Sequence, residues 1–188
     1  MAGMVLGRYF KLVVTQLLDA SAGLDQLAAR VESLDDAGEY DWAEFTAAVR
    51  LAAATVTELD LVSIGKRIVA ASKPEFERWG FDSAEAVLTD LDTPFGAAII
   101  DPPEHDRMTT AKYEPGYAVL RAGAVHPPAL VEGYLRGVVE MYGGSVNDLA
   151  CHKVHMDGQP FHLIELRWWT PSRVTRRLSS SPRVRRVA

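Results

Sequence analysis

Residues 108–169, MTTAKYEPGYAVLRAGAVHPPALVEGYLRGVVEMYGGSVNDLACHKVHMDGQPFHLIELRWW, decide the fold of this chain. Two short segments rich in strand-forming residues come first, and an amphipathic helix at 127–144 follows them. Two longer alternating segments then flank Asp157 and Gly158, a pair typical of a tight hairpin turn. The order strand, strand, helix, strand, strand predicts an antiparallel sheet of about four strands crossed by one helix.

The residues before this stretch predict helices. Apolar residues recur at helical spacing over Val5–Leu18, Gly23–Leu34, Asp41–Ala54 and Leu59–Ser72, and two shorter helical pieces follow within 74–91. The predicted fold class is therefore α+β, with a helical half at 1–100 packed on a sheet half at 101–169 as one domain. The remaining residues, 170–188, are rich in arginine and serine, and we expect them to form a basic disordered tail.

One face of the second predicted strand carries the candidate ligand residues. Tyr117, Val119 and Arg121 alternate along GYAVLRAG, so their side chains share one side of the strand. A guanidinium in such a place pairs bidentately with a carboxylate or phosphate, and a tyrosine hydroxyl adds a hydrogen bond. Tyr134, in the apolar stripe of the crossing helix, completes the predicted ligand-binding set. The alternative stays open that Arg121 is a solvated ion-pair partner and Tyr117 packs at the sheet edge.

The run Tyr117-x-Val119-x-Arg121-x-Gly123, followed by a helix and a hairpin, resembles the haem nitric oxide/oxygen binding (H-NOX) domain. The mark of that family is Tyr-x-Ser-x-Arg, whose side chains hold the haem propionates, and Val119 stands here in the place of the serine. The closing hairpin also resembles that of vinyl-reductase-type domains, although Cys151 is the only cysteine present. The resemblance implies a divergent sensory domain of this superfamily.

The resemblance also implies a proximal histidine, which the sequence does not supply at the expected place. An axial imidazole is expected on a helix roughly thirty residues before Tyr117. The first histidine of the chain is His105, in a proline-rich loop, and the helical stretch DSAEAVLTDL at 82–91 contains none. We therefore expect no haem and no other cofactor.

Two other clusters of reactive side chains are compatible with chemistry. Cys151, His152, His155 and His162 are zinc-type ligands, but strand geometry separates Cys151 from His155 by about 13 Å, which is too far for one ion. The loop DPPEHDR, residues 101–107, combines a histidine with carboxylates, a pattern that fits either an acid–base dyad or solvated charges. We predict neither a metal site nor a catalytic residue.

Composition bears on compartment and partners. A single cysteine and the absence of an apolar run near the roughly 20 residues needed to span a bilayer favour a cytoplasmic protein. Six arginines and no acidic residue lie in 170–188, so the body of the chain is acidic and is a poor nucleic-acid surface. Contact of the tail with an acidic partner is a hypothesis, as is phosphorylation at Arg176-Arg177-Leu178-Ser179.

Together these features predict a non-enzymatic, small-molecule-binding sensory or regulatory domain. Its ligand would be anionic or aromatic and would lie between the helical half and the sheet, and a shifted helix would signal occupancy to a protein partner. A homodimer through apolar helix faces is compatible with the pattern. Three alternatives stay open: a haem-dependent gas sensor, a small enzyme acting on a tetrapyrrole or polycyclic substrate, and an adaptor without a cavity.

Overall fold

The predicted order of strands and helix is present in the computed structural model, which describes residues 3–156 and 158–171. The elements in chain order are β1 (Met4–Leu6), α1 (Gly7–Leu18), α2 (Asp25–Glu32), β2 (Glu39–Asp41), α3 (Trp42–Ala53), α4 (Glu58–Arg78), α5 (Ala84–Thr89), α6 (Asp92–Gly96), β3 (Ile99–Ile100), β4 (Thr109–Glu114), β5 (Tyr117–Gly123), α7 (Pro128–Met141), β6 (Ser145–Met156) and β7 (Gln159–Trp169). Within the described ranges, no helix is long and apolar enough to cross a membrane. The predicted tail motif at 176–179 lies outside the described residues.

The sheet half is a four-stranded antiparallel sheet with strand order β4-β5-β7-β6. Its two faces differ, because Ile164, Leu166 and Trp168 on β7 are buried while Glu165 and Arg167 between them are exposed. On β5 the buried residues are Ala118, Leu120 and Ala122. The α+β class predicted from the sequence is therefore confirmed.

The core face of this sheet is covered by helices. The hydroxyl of Thr110 on β4 donates a hydrogen bond of 2.8 Å to the carbonyl of Leu88 on α5. The indole of Trp168 on β7 donates to the Glu85 carboxylate of the same helix at 3.4 Å. Apolar contacts from α7 complete the cover, since Leu130, Val131 and Leu135 are almost fully buried.

A second, three-stranded sheet was not predicted. Its strand order is β2-β1-β3, and β1 pairs antiparallel with both neighbours. The first helix was predicted to begin at Val5, whereas Met4–Leu6 is a strand and the helix begins at Gly7. Strands of two or three residues are too short to show an alternating pattern, so they are recognised only from their pairing in the folded structure.

The predicted end of the fourth helix before Lys73 is wrong, because α4 continues through Pro74 to Arg78. A proline inside a helix removes one backbone hydrogen bond and crowds the preceding turn. Here the segment after Pro74 still folds as helix, since Phe76 is buried and packs edge to face against Phe81. Tertiary packing outweighs the local preference.

Helices α4 and α7 touch backbone to backbone. A Cβ atom added to Gly133 would overlap the carbonyl oxygen of Val62, and one added to Gly65 would meet the backbone of Gly133 at 2.8 Å. A Cβ atom added to Gly137, one turn further along α7, would lie 3.0 Å from the Cα atom of Lys66. Glycine is therefore required at the centre of this helix pair.

One of the hydrogen bonds between the helical half and the sheet half comes from a buried tryptophan. The indole nitrogen of Trp42, at the start of α3, donates to a carboxylate oxygen of Asp106 at 2.8 Å. Asp106 belongs to a 3-10 turn at Glu104–Asp106, and its backbone lies directly against Gly123 on β5. The loop before the sheet is thus held between α3 and β5.

Gly133→Ala tests the helix contact. The added methyl group has no space against α4, so we expect the free energy of unfolding to fall by about 1–3 kcal/mol. Urea denaturation followed by circular dichroism measures it. Gly96→Ala is the matched control, because no described atom lies within 4 Å of the added Cβ. Equal stability of the two variants would contradict the backbone contact.

Candidate functional site

A cavity of about 100 Å³, partly open to solvent, lies between the helical half and the crossing helix. Its wall is largely apolar and comes from α1, α4, α5, α6 and α7, with Ile68, Val69, Phe76, Leu135 and Val138 as typical members. An engineered cavity of about 150 Å³ binds benzene or xenon, whereas pockets for drug-sized ligands measure about 300–1,000 Å³. The space therefore suits a molecule of a few heavy atoms.

His126 is the principal polar group of this cavity. The residue lies between β5 and α7, its exposed fraction is 4%, and neither ring nitrogen has a hydrogen-bond partner among the described residues. Burial lowers the pKa of the imidazole from 6.5 to about 4. The ring is therefore neutral at pH 7, with one nitrogen that donates and one that accepts.

Local sequence explains how His126 is held. Pro127 follows it, and the residue before a proline is restricted to extended backbone. Pro128 then begins α7, where the missing N–H costs nothing because the first turn has no internal partner for it. The imidazole packs edge to face on Phe45 at 5.9 Å and on Tyr134 at 5.6 Å between ring centroids.

Two tyrosine hydroxyls share this environment. The Tyr134 hydroxyl is buried and has no hydrogen-bond partner among residues 3–156 and 158–171. Its pKa is raised well above the usual value, first by burial and second by the proximity of Tyr9. Tyr9 on α1 also lines the cavity, and burial raises the pKa of its hydroxyl too. Both phenols are therefore neutral hydrogen-bonding groups.

The structure divides the predicted ligand residues between two places. Tyr134 lines the cavity, as described above. Tyr117, Val119 and Arg121 lie on the half-exposed face of β5, opposite the buried face, and in the described part of the chain they do not line the cavity. Whether these three residues bind a ligand stays a prediction.

Contacts on the half-exposed face already involve both polar side chains. The Tyr117 hydroxyl donates to Glu165 at 3.3 Å, and the guanidinium carbon of Arg167 lies 4.5 Å from the tyrosine ring centroid. The guanidinium of Arg121 lies 4.9 Å over the ring of Phe161. Its Nε atom is buried without a hydrogen-bond partner among the described residues, so part of its bonding capacity is unused.

The residues considered for metal binding do not converge, whereas in the acid–base loop His105 Nε2 lies 3.8 Å from an oxygen of Asp106. In the described ranges, no group of three or more His, Cys, Asp and Glu side chains is placed to hold a metal ion. His162 is buried and faces Lys153 across the hairpin, while Cys151 is exposed. In the 101–107 loop, Asp106 accepts the Trp42 hydrogen bond, which gives this carboxylate a structural role.

His126 and Tyr9 are the cavity residues that sequence reasoning missed. The resemblance implies an axial histidine before Tyr117, and the other histidines weighed as ligands or acid–base groups are His105, His152, His155 and His162, which leaves out His126. The available signal was the His-Pro-Pro run at the start of an amphipathic helix, which places an imidazole next to the buried stripe of that helix. Tyr9 has no comparable signal, since its helix face is set by packing.

Comparisons with known proteins give matches in structure alone. No family model and no curated protein matches the chain. A variant H-NOX protein from S. oneidensis in the Fe(II) ligation state has a TM-score of 0.61 at 12% identity, covering 89% of this chain and 98% of that chain. An Fe(II) unliganded H-NOX variant from K. algicida scores 0.60 at 11% identity, covering 89% and 96%. An oxygen-binding H-NOX domain related to soluble guanylate cyclases, in its oxygen complex, scores 0.60 at 10% identity and covers 85% and 93%.

The expectation that this chain has no cofactor is corrected by these similar structures, because two of them are Fe(II) states. In this chain a suitable donor for haem iron is present, but the cavity is too small for haem. His126 offers a neutral imidazole nitrogen of the kind that binds haem iron. A four-ring macrocycle is several times larger than benzene, which an engineered cavity of about 150 Å³ accommodates, so the cavity as folded does not fit it.

The likeness covers most of both chains, yet the sequence identity is low enough that it shows the fold and not the activity. The likeness includes the helical half as well as the strands and hairpin on which the resemblance in the sequence rests. The chain has the H-NOX fold.

Proposed function

We propose that this domain is a small-molecule-binding sensory or regulatory domain whose ligand occupies the cavity beside His126. The observation that carries the proposal is the coincidence of an apolar cavity with buried polar groups that lack partners among the described residues. A buried hydrogen-bonding group left without a partner costs about 1–3 kcal/mol, so such groups usually serve a function. A ligand that pairs with them recovers this free energy.

Size and polarity define the ligand class. About 100 Å³ favours a molecule no larger than a single small ring. The largely apolar wall, whose lining includes the Glu75 carboxylate, disfavours an anion, because a buried anion without a counter-ion is costly. The neutral imidazole of His126 and the hydroxyl of Tyr134 supply donors and an acceptor close together. A neutral molecule with one or two hydrogen-bonding atoms matches this arrangement.

Occupancy is reported through α4 and α7. Both helices line the cavity, through Ile68 and Val69 on one side and Tyr134 and Val138 on the other. Their backbones touch at Gly65 and Gly133, so no side chains lie between them that could shift to take up a displacement. An occupant that presses on one helix therefore moves both helices. The exposed surface of this pair is where we place a protein partner, in the cytoplasm.

The half-exposed face of Tyr117, Val119 and Arg121 is the competing site. Its arginine suits an anionic ligand, as predicted from the sequence. We rank the cavity first, because the Tyr117 hydroxyl and ring already have protein partners on that face.

Val138→Phe tests the cavity as the ligand site. The larger ring fills the space next to Tyr134, so we expect xenon, used as a small neutral probe, to bind at least about tenfold more weakly. Xenon NMR of the full chain measures this affinity, and native mass spectrometry of freshly purified protein identifies a retained natural ligand.

Val119→Phe is the matched control, since Val119 lies on the other site and does not line the cavity in the described structure. Loss of xenon binding in this variant alone would show that the ligand site is on the sheet and not in the cavity. A retained tetrapyrrole in the native spectrum would show that α4 and α7 separate to admit a cofactor, and would contradict the size limit.

His126 makes stability depend on pH. The folded pKa of about 4 lies below the unfolded value of 6.5, so the unfolded chain takes up a proton first as the pH falls. Stability is complete above pH 6.5 and decreases by up to about 3 kcal/mol as the pH falls to about 4. His126→Phe keeps an aromatic ring at this position but has no group that titrates, so the urea midpoint of the variant should depend less on pH. Identical pH profiles for the two proteins would mean that the imidazole is hydrated in the folded state.

A further inference from the structure

We propose that the ligand of the cavity is a small organic cation, a protonated amine whose nitrogen lies beside the carboxylate of Glu75 in an aromatic part of the wall. This inference rests on the function proposed above, since it concerns the occupant of the same cavity. It names the chemical class of that occupant and assigns to Glu75 a role in binding it.

Glu75 is the acidic residue that α4 contributes to the lining of the cavity. It is half-buried, and its carboxylate forms no hydrogen bond or ion pair within the part of the chain that the structure describes. The exposed Glu77, on the same helix, differs in lying 4.0 Å from the ammonium group of Lys73. A carboxylate that has lost part of its hydration and has no counter-ion gains most from a bound cation.

The neighbouring cations of the protein leave Glu75 available. Arg8 lines a groove that adjoins the cavity and also includes Glu75. Arg8 is exposed, however, and makes no ion pair with a carboxylate of the described residues. The ammonium group of Lys73 lies 3.4 Å from the carbonyl of Met141 and is directed to the end of α7. An external cation can therefore occupy the place beside Glu75.

Aromatic side chains line the same cavity as Glu75. Trp79 follows Glu75 by one turn on the same face of α4, and its indole packs edge to face on Phe76 with 5.9 Å between ring centroids. The faces of such rings carry negative partial charge and attract an ammonium group, which is how proteins recognise methylated amines. The aromatic lining consists of Tyr9, Phe76, Trp79, Phe95 and Tyr134, together with the imidazole of His126.

The polar groups of the cavity differ in exposure. His126 and Tyr134 are buried, whereas Glu75 is half-buried and lies nearer to solvent. A neutral molecule pairs with His126 and Tyr134 but leaves Glu75 without a partner. A molecule with an ammonium group at one end and a neutral hydrogen-bonding atom at the other satisfies all three. Because the cavity is partly open, the ammonium group keeps some of its hydration, so the cation binds without the full cost of desolvation.

Displacement of xenon tests the charge of the ligand. The probes are tert-butylammonium and tert-butanol, which have nearly the same shape but differ in charge at neutral pH. We expect tert-butylammonium to displace xenon from the full chain at a concentration about tenfold lower than tert-butanol. Xenon NMR at low ionic strength, where the attraction is least screened, measures both displacements. Equal displacement by the two probes, or displacement by neither, would overturn the cationic ligand.

Glu75→Gln tests the counter-ion, because it removes the charge and keeps the size of the side chain. In this variant the two probes should displace xenon at the same concentration, while xenon affinity and melting temperature stay unchanged. Glu77→Gln is the matched control, since it removes the same charge from an exposed position of α4 that does not line the cavity. This control should keep the tenfold preference. An equal loss of preference in both variants would mean that the overall acidity of the protein attracts the cation, and would overturn the role of Glu75.

The outcomes separate this inference from the proposed function. Xenon that binds to the wild type and only weakly to Val138→Phe, but that both probes displace equally, overturns the cationic ligand and leaves the ligand site intact. Absence of xenon binding in every protein overturns the ligand site and the cationic ligand with it. A preference for tert-butylammonium that Glu75→Gln abolishes and Glu77→Gln retains supports both.

Discussion

The close approach of α4 and α7 is the constraint on which the rest of the structure depends. Gly65 and Gly133 allow the two backbones to meet, and any side chain there would push the helices apart. The cavity lies next to this contact, since it is lined by Ile68 and Val69, one turn beyond Gly65, and by Tyr134, adjacent to Gly133. The spacing of the helices therefore determines both the volume of the cavity and the position of Tyr134.

Much of the sheet half was predictable because its elements carry long, regular patterns. The alternation of β7 and the helical stripe of α7 extend over many residues, so each pattern specifies one element and one buried face. Gly133 and Gly137 were also recognisable as a close-approach surface from their spacing. Their partner Gly65 was not, because a sequence does not state which helix lies opposite. The strands β1 and β3 were missed for a related reason, since each is defined by its neighbour.

The site was predicted less well than the fold, and the residues show why. Alternation established that Tyr117, Val119 and Arg121 share one face of β5, but it could not decide which face the helices cover. The residues that alternate with them, Ala118, Leu120 and Ala122, lie on the covered side. His126 was not predicted, because the resemblance implies an axial histidine before Tyr117 and the sequence does not distinguish a buried histidine from an exposed one. The expectation about cofactors failed when relatives with the same fold proved to be Fe(II) proteins.

The cavity is built from segments that are remote in the chain: Tyr9 near the start, Phe95 in the middle and Val138 towards the end all face it. No fragment of the protein contains the whole wall, so the chamber arises only when these distant segments have assembled. Its formation should come late in folding, after the loop-closure entropy of long-range contacts has been overcome. A molecule bound there would consequently act as a thermodynamic cross-link among the first, middle and last parts of the chain, and would make unfolding more cooperative.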